Sequence, residues 1–371
     1  MHEKFMHIAL ELAAKGRGNV NPNPMVGAVI VKDNKIIGQG YHSVYGASHA
    51  EIEAFSSCSG SPVGATLYVT LEPCCHHGKT PPCTDSIIKN KISKVVIGCK
   101  DPNPLVAGKG IEILKNHGIE IETGVLEKEC QDINEIFFYY IQNKKPYVVM
   151  KYAMTADGKI ATSSGQSQWI TGTLAREHTQ KTRHALSAIM VGIGTILADD
   201  SLLTCRMPGG KNPVRIICDT NLRIPLDSKV AQTAKTVPTI VASSSSGSSF
   251  DNSKKKQLEA MGVRVLETGL KDSRLDLEDL MQKLGKIGID SILLEGGGAL
   301  NYSALKQGIV RKLQIYIGPK IFGGSESLSP VEGEGIKNIS NAAALKLLNV
   351  SAIGEDILLE YKVEEIPCLQ E

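Results

Sequence analysis

The sequence predicts two α/β domains in one chain, and three observations lead there. The chain has 371 residues, too long for one ordinary domain. Hydrophobic residues make up 42% and charged residues 22%, with 36 glycines, a composition suited to folds that need many tight strand-to-helix turns. Along the chain, short apolar runs alternate with helical patterns, and the alternation is interrupted once, at the polar stretch Asn143-Lys144-Lys145-Pro146. A domain of residues 1–145 and a second of residues 146–371 are therefore expected.

The elements follow in order. Phe5, Ile8, Ala9 and Leu12 recur at helical spacing up to Gly16. Met25 to Val31 and Ile36 to Tyr41 flank Lys32-Asp33-Asn34-Lys35 and read as a hairpin. A helix is expected near His49, then a strand at Ala65 to Leu71, a helix from about Thr84 to Asn90 and a strand at Lys94 to Cys99. A helix at Gly110 to Asn116, a strand at Ile119 to Glu122 and one further helix from Glu127 to Gln142 complete an α/β/α layer domain. The second half restarts with a strand at Tyr147 to Ala153, and further strands are expected near Ala188 to Gly192, Val214 to Cys218, Thr239 to Ala242, Ser291 to Leu294 and Leu313 to Ile317. Ser243 to Ser249 reads as a surface loop, Lys254-Lys255-Lys256 as a solvated helix start, and Asp356 to Val363 as an antiparallel edge strand.

Composition also excludes functions. A formal net charge of +2 offers no broad footprint for a nucleic-acid backbone. No stretch approaches the roughly 18 apolar residues that a membrane helix requires, and the N-terminus does not read as a signal peptide. A cytoplasmic protein is expected. Its nine cysteines do not suggest a disulfide framework, so clustered ones are better read as metal ligands or catalytic groups.

The cluster is His49-Ala50-Glu51, then Pro73-Cys74, then Pro81-Pro82-Cys83. Zinc deaminases use H-x-E with a later P-C-x-x-C. One imidazole and two thiolates, from His49, Cys74 and Cys83, suit a tetrahedral Zn²⁺ whose fourth position is open to a water that ionises near neutral pH. Glu51 is then the catalytic acid–base that carries a proton from that water to the leaving amine. Eight residues rather than two separate Cys74 from Cys83, and the insert adds Cys75, His76, His77 and Lys79 to the rim. Those read as rim or substrate contacts, since three protein ligands suffice. Taken singly, each of these residues is as readily explained by core packing; the order of the set is what argues for a metal.

At this point the resemblance is to a family. Asn21-Pro22-Asn23-Pro24-Met25-Val26-Gly27, His49-Ala50-Glu51, Glu72-Pro73-Cys74 through Cys83 and Asp101-Pro102-Asn103-Pro104 together resemble the bifunctional riboflavin-biosynthesis deaminase/reductases. Cys75 stands where that family usually has serine. The resemblance implies a cytidine-deaminase-like first domain that removes the 2-amino group of 2,5-diamino-6-ribosylamino-pyrimidinone 5′-phosphate. Asn23 would bind the pyrimidine edge, His42, His76 and Lys79 the ribose phosphate, and Asp101 and Asn103 would close the pocket.

The second half carries no G-x-G-x-x-G, because Gly192-Ile193-Gly194-Thr195 lacks the third glycine. Its Glu295-Gly296-Gly297-Gly298 turn after a strand could bring bare N–H groups to a phosphate, although a plain turn explains it equally well. Lys151 to Ala161, Ser167-Gln168-Trp169-Ile170-Thr171, Val191 to Asp200 and Leu203-Thr204-Cys205-Arg206 resemble the same family's reductase half. That resemblance implies a dihydrofolate-reductase-like fold using NADPH. Ala153, Trp169, Thr195, Asp199, Thr220, Gly297 and Gly298 would hold the nucleotide, and Ser167, Arg183, Leu203, Arg206 and Glu295 the substrate. Hydride delivery to the sugar C1 of the open-chain form would yield the ribityl product, with Lys151 or Glu295 assisting protonation. Core packing is the plain alternative for Trp169, and a turn between strands for Asp157-Gly158. The expected partners are small pyrimidine ribose-phosphates, with neither nucleic acid nor membrane, in a homo-oligomer.

Two rivals remain on the sequence alone. A nucleic-acid deaminase would want a basic, aromatic-lined channel, against 5% aromatics here. A zinc-stabilised binding module would want four protein ligands and has no use for Glu51.

Overall fold

The computed structural model describes residues 2–75, 81–104, 106–244 and 251–364, and divides into two compact units, Met1–Lys144 and Lys145–Glu371. In the first, α1 (His2–Ala14), β1 (Gly27–Lys32), β2 (Lys35–Tyr41), α2 (Ala50–Ser56), β3 (Thr66–Leu71), α3 (Cys83–Lys89), β4 (Lys94–Cys99), α4 (Lys109–Asn116), β5 (Glu120–Thr123), α5 (Glu127–Ile133) and α6 (Glu135–Asn143) follow one another. The sheet order is β2-β1-β3-β4-β5. β1 runs antiparallel to β2 and β3, whereas β3, β4 and β5 are parallel.

Alternation along the strands builds two cores. Ala28, Ile30, Leu67, Val69, Val95 and Ile97 pack with Ala54 of α2, Ile87 of α3 and Leu114 of α4. Their neighbours Val29, Val31, Tyr68 and Val96 pack with Met6 and Ala9 of α1, Cys130 of α5 and Phe137 of α6. Successive side chains leave a strand on opposite faces, so a sheet buried on both sides reads as continuous apolar runs. The predicted hairpin closes through Asp33 and Asn34 at φ 49° and 59°, as a tight two-residue turn demands. Helix α2, which carries the His-Glu pair, lies so close to β2 that a Cβ on Gly40 would stand 2.4 Å from the Ala50 carbonyl oxygen. Only glycine admits that approach.

The helix expected from Glu127 to Gln142 is two helices. Asn134, at φ −107° and ψ 21°, breaks it, and its side chain bonds the backbone of Met25 instead of continuing the helical surface.

The second unit runs β6 (Tyr147–Thr155), α7 (Thr173–Ala185), β7 (Ala188–Gly192), α8 (Ile193–Asp199), β8 (Val214–Cys218), α9 (Lys229–Gln232), β9 (Thr239–Ser243), α10 (Asn252–Ala260), β10 (Val263–Glu267), β11 (Leu270–Lys271), β12 (Arg274–Leu275), α11 (Leu277–Lys286), β13 (Ser291–Leu294), α12 (Gly298–Lys306), β14 (Val310–Gly318), β15 (Leu345–Ile353) and β16 (Asp356–Val363). Its nine-stranded sheet has the order β10-β9-β8-β7-β13-β6-β14-β16-β15, parallel from β10 to β14 and antiparallel in the last two strands. Asp356 to Val363 is thus not the edge expected of it. β15 lies outside it, and its Leu345, Leu347, Leu348 and Val350 are 41%, 52%, 48% and 55% exposed. The expected surface loop at Ser243 also starts later: Ser243 ends β9 and is buried, as is Ser244, and the remainder lies outside the described residues. The lysine run does sit on a helix start, capped by the Asp251 carboxylate on the N–H groups of Ser253 and Lys254.

Candidate metal centre and cofactor crevice

His49 is the N-cap of α2, which places Glu51 in the first turn; Cys74 follows β3, and Cys83 opens α3. The His49 Nδ1 lies 3.3 Å from Cys83 Sγ and 3.5 Å from Cys74 Sγ, and the three ligand atoms are within 4.8 Å of one another. Tetrahedral zinc with ordinary Zn–N and Zn–S bonds would set its ligand atoms about 3.6–3.8 Å apart, so the donor set fits Zn²⁺. The Cys83 N–H donates to Cys74 Sγ at 3.3 Å.

The two thiols shift each other's ionisation in opposite directions. The bond from Cys83, then that from His49, holds Cys74 down to about 4, and the same partnership raises Cys83 well above the usual thiol range. Bonding to Cys74 raises His49. Because a metal ligand must be deprotonated, binding would expel these protons. Glu51 is 3% exposed, and burial first, then the neighbouring Cys74, pushes its carboxyl up to about 7. A buried carboxyl that changes charge near neutrality can both accept and donate a proton.

A cavity of about 370 Å³ opens on this cluster, and Asn23, His42, Asp101 and Asn103 line it with His49, Glu51 and Cys74. His42 is buried, its Nδ1 lies 3.0 Å from the Ser48 carbonyl and its Nε2 3.2 Å from Asn23 Nδ2. Both contacts are satisfied when Nδ1–H donates to Ser48 and Nε2 accepts from Asn23, and burial keeps the ring's proton affinity low. Asp101 Oδ1 accepts from the Asn103 N–H at 2.8 Å. Behind them Glu72 is buried beside Pro73-Cys74 and accepts from the N–H groups of Gly108 (3.0 Å) and Ile111 (3.3 Å), which ties the zinc loop to the start of α4. His76 and Lys79 lie outside the described residues.

Sequence reasoning missed part of the lining. Tyr45, Val106 and, from α6, Phe137, Tyr140 and Ile141 face the same cavity. Their apolar spacing reads as core, and nothing in it announces a pocket.

In the second unit, Thr220 follows β8, Thr195 and Asp199 lie on α8 after β7, Gly297 and Gly298 open α12 after β13, and Ala153 is near the end of β6. These are the carboxyl ends of four neighbouring parallel strands, β8-β7-β13-β6, where open α/β sheets bind ligands. Gly297 has an ordinary φ of −68°, and a Cβ added there would meet nothing within 4 Å. Neither backbone strain nor a protein neighbour requires glycine at this position.

Ser167 and Trp169 lie between β6 and α7. Trp169 is 53% exposed with the Arg176 guanidinium 4.6 Å from its ring centroid, which removes core packing as its explanation. Arg183 and Glu295 grip each other, Nε to Oε1 at 2.7 Å and Nη2 to Oε2 at 3.0 Å, while Arg183 Nη1 donates to the Thr204 carbonyl at 2.9 Å. Burial alone would raise the Glu295 carboxyl, but Arg183 and Lys151 hold it below its usual value. Burial pushes the Lys151 ammonium down. Leu203 is buried in the apolar core with Ile189 and Ile217, at φ 53°, so its side chain is committed to that core. Arg206 is exposed, its N–H held by Gln180. Asp157 does more than turn the chain: its carboxylate accepts from Thr155 Oγ1 and the N–H groups of Phe322 and Gly323 (2.7 Å), which holds it down to about 2.

Fold and site together define a zinc-deaminase unit joined to a second α/β unit. Residues 1–99 match the cytidine and deoxycytidylate deaminase zinc-binding region, and residues 146–359 match the RibD C-terminal domain. The chain belongs to the RibD family. It is 54% identical to the riboflavin biosynthesis protein RibD of Actinobacillus pleuropneumoniae over 359 residues, 97% of this chain and 94% of that one. It is 36% identical to RibD of Escherichia coli over 372 residues, 96% and 98% of the two chains. Among solved structures, a diaminohydroxyphosphoribosylaminopyrimidine deaminase/5-amino-6-(5-phosphoribosylamino)uracil reductase from Thermotoga maritima is 40% identical with a TM-score of 0.86, covering 98% of each chain. Acinetobacter baumannii RibD is 36% identical with a TM-score of 0.88, covering 98% of this chain and 99% of that one.

Proposed function

We propose that the chain catalyses two consecutive steps of riboflavin biosynthesis. Residues 1–145 hydrolyse the 2-amino group of 2,5-diamino-6-ribosylamino-4(3H)-pyrimidinone 5′-phosphate, and residues 146–371 reduce the ribosyl chain with NADPH to give 5-amino-6-ribitylaminouracil 5′-phosphate. The observation that carries the reading is the buried Glu51 beside the His49–Cys74–Cys83 cluster on one cavity.

His49, Cys74 and Cys83 hold Zn²⁺, which when bound supplies the Lewis acidity that makes water a nucleophile at neutral pH. Glu51 takes a proton from that water and delivers it to the departing amine, so water is consumed and ammonia released. Asn23 binds the pyrimidine edge. His42, with both ring nitrogens engaged, orients Asn23 rather than meeting phosphate, a different role from that which the family resemblance implies. Asp101 and Asn103 close the pocket, and His76 and Lys79 reach the phosphate.

In the second unit Ala153, Trp169, Thr195, Asp199, Thr220, Gly297 and Gly298 hold NADPH, which supplies the hydride. Ser167, Arg206 and the backbone at Leu203 hold the substrate. Arg183 and Glu295, clamped together, shape that pocket, and Lys151 beside them is placed to hold the proton that accompanies the hydride. The open space at Gly297 gives the test: the Cβ of Gly297→Val would meet no protein atom within 4 Å, yet the side chain would obstruct close approach of the cofactor's phosphates to the α12 N-terminus. NADPH affinity should fall by about 10- to 100-fold with an unchanged melting temperature, measured by fluorescence titration. Wild-type affinity in the variant would move the nucleotide elsewhere.

A homo-oligomer is part of this reading, supported by the exposed apolar edge strand β15, a surface that natural sheets seldom leave bare. Leu348→Lys with Val350→Lys should shift the mass measured by light scattering to that of one chain; an unchanged oligomer would place the interface elsewhere. A cytoplasmic location fits the eight described cysteines, all free thiols, and among the described residues no helix is long and apolar enough to cross a membrane.

A further inference from the structure

The generic chemistry of the first cavity comes from residues within the zinc-binding region, yet much of its wall does not. Residues 100–145 lie between the two matched family regions, and from them Phe137, Tyr140 and Ile141 of α6 join the lining. What aims α6 at the cavity is the break before it. Asn134 is 2% exposed, its Oδ1 accepts from the Met25 N–H at 2.8 Å, and its Nδ2 donates to the Met25 carbonyl at 2.9 Å. Its own carbonyl accepts from the Phe138 N–H at 3.0 Å, so the same residue starts α6. Met25 lies two residues beyond Asn23 and two before β1, where the strand ladder offers its backbone no partner strand. A side-chain amide can satisfy both groups at once, because it alone among side chains of this size carries a donor and an acceptor side by side.

We propose that Asn134 is a positioning residue of the deaminase: it locks the Asn23 loop and the α6 wall into one unit that recognises the substrate's heterocycle. The proposal rests on the deaminase reading above. Asn134 touches no reacting atom. Its loss lets the edge-reading amide and the wall that faces the ring drift apart, which weakens recognition and leaves the zinc and proton chemistry in place. Specificity within this cavity then resides in a segment outside the zinc-binding region, and Tyr140, half-buried in the cavity wall, is its tyrosine member.

The test uses the full chain carrying Asn134→Asp and, separately, Tyr140→Leu. Aspartate keeps the shape and the acceptor but sets an oxygen against the Met25 carbonyl. Both variants should hold one zinc per chain and oxidise NADPH with the deaminated substrate at the wild-type rate, while KM for the diaminopyrimidine rises about tenfold, equivalent to about 1.4 kcal/mol, and kcat stays within about threefold. An unchanged KM in both variants overturns the proposal, as does a fall in kcat with loss of zinc, which would make Asn134 a fold residue only. Wild-type chain that releases no ammonia from the diaminopyrimidine overturns the deaminase reading itself, and that result is distinct from either of these.

Discussion

Glu51→Gln should bind zinc normally yet deaminate about 10² to 10⁴ more slowly than the wild type, the usual worth of general acid–base catalysis. The substitution is mild structurally. Burial already favours the uncharged form of Glu51, whose carboxyl is raised to about 7, and glutamine resembles that form in size and polarity. What is lost is the capacity to accept a proton and release it. Ammonia release from the diaminopyrimidine should therefore nearly stop, whereas NADPH oxidation with the deaminated aminouracil phosphate should continue at close to the wild-type rate. Normal deamination would make Glu51 a bystander. Loss of both activities in a folded chain would mean that the two reactions share a site.

Cys83→Ser should have the other large effect, by removing the metal. Cys83 is fully buried at the start of α3, within ligand distance of both His49 and Cys74. A serine hydroxyl remains protonated at neutral pH and is a poor zinc ligand. Changes to groups that merely support metal ligands already cost about 10- to 100-fold in affinity, so a ligand should cost more. Metal analysis should find far less than one zinc per chain, with deamination reduced to background and the reductase retained. Stoichiometric zinc in the variant would remove Cys83 from the ligand set.

How far the sequence alone reaches can be seen residue by residue. Most strands of the two sheets were legible because sheets covered on both faces leave continuous apolar runs, such as Val95-Val96-Ile97, between glycine and polar breaks, whereas β10 (Val263–Glu267), where charged residues interrupt the apolar ones, was not expected. The zinc cluster was legible because its three ligands and Glu51 occupy ordered positions at helix starts and strand ends. The break at Asn134 was not. Helical periodicity continues across it, and its cause is a bond to Met25, 109 residues away in sequence. β15 escaped for the opposite reason: Leu345, Leu347, Leu348 and Val350 are exposed, so its apolar residues follow no buried face. The wall formed by Phe137, Tyr140 and Ile141 could not be told from core, since an apolar helix face looks the same whether it meets a sheet or a cavity. The clamp between Arg183 and Glu295 was equally hidden, because each arrives from a different element and only the fold brings them together.

The central claim is that one chain deaminates and then reduces, in that order and at separate sites. It is tested most directly by incubating the purified chain with the diaminopyrimidine ribosyl phosphate, with and without NADPH, and weighing the products by mass spectrometry. Without NADPH, the account predicts stoichiometric ammonia and a deaminated product that keeps its ribosyl chain. With NADPH, that product should gain two hydrogens and one NADPH should be oxidised per molecule. Two added hydrogens on a product that keeps its amino group, or ammonia release that requires NADPH, would contradict it.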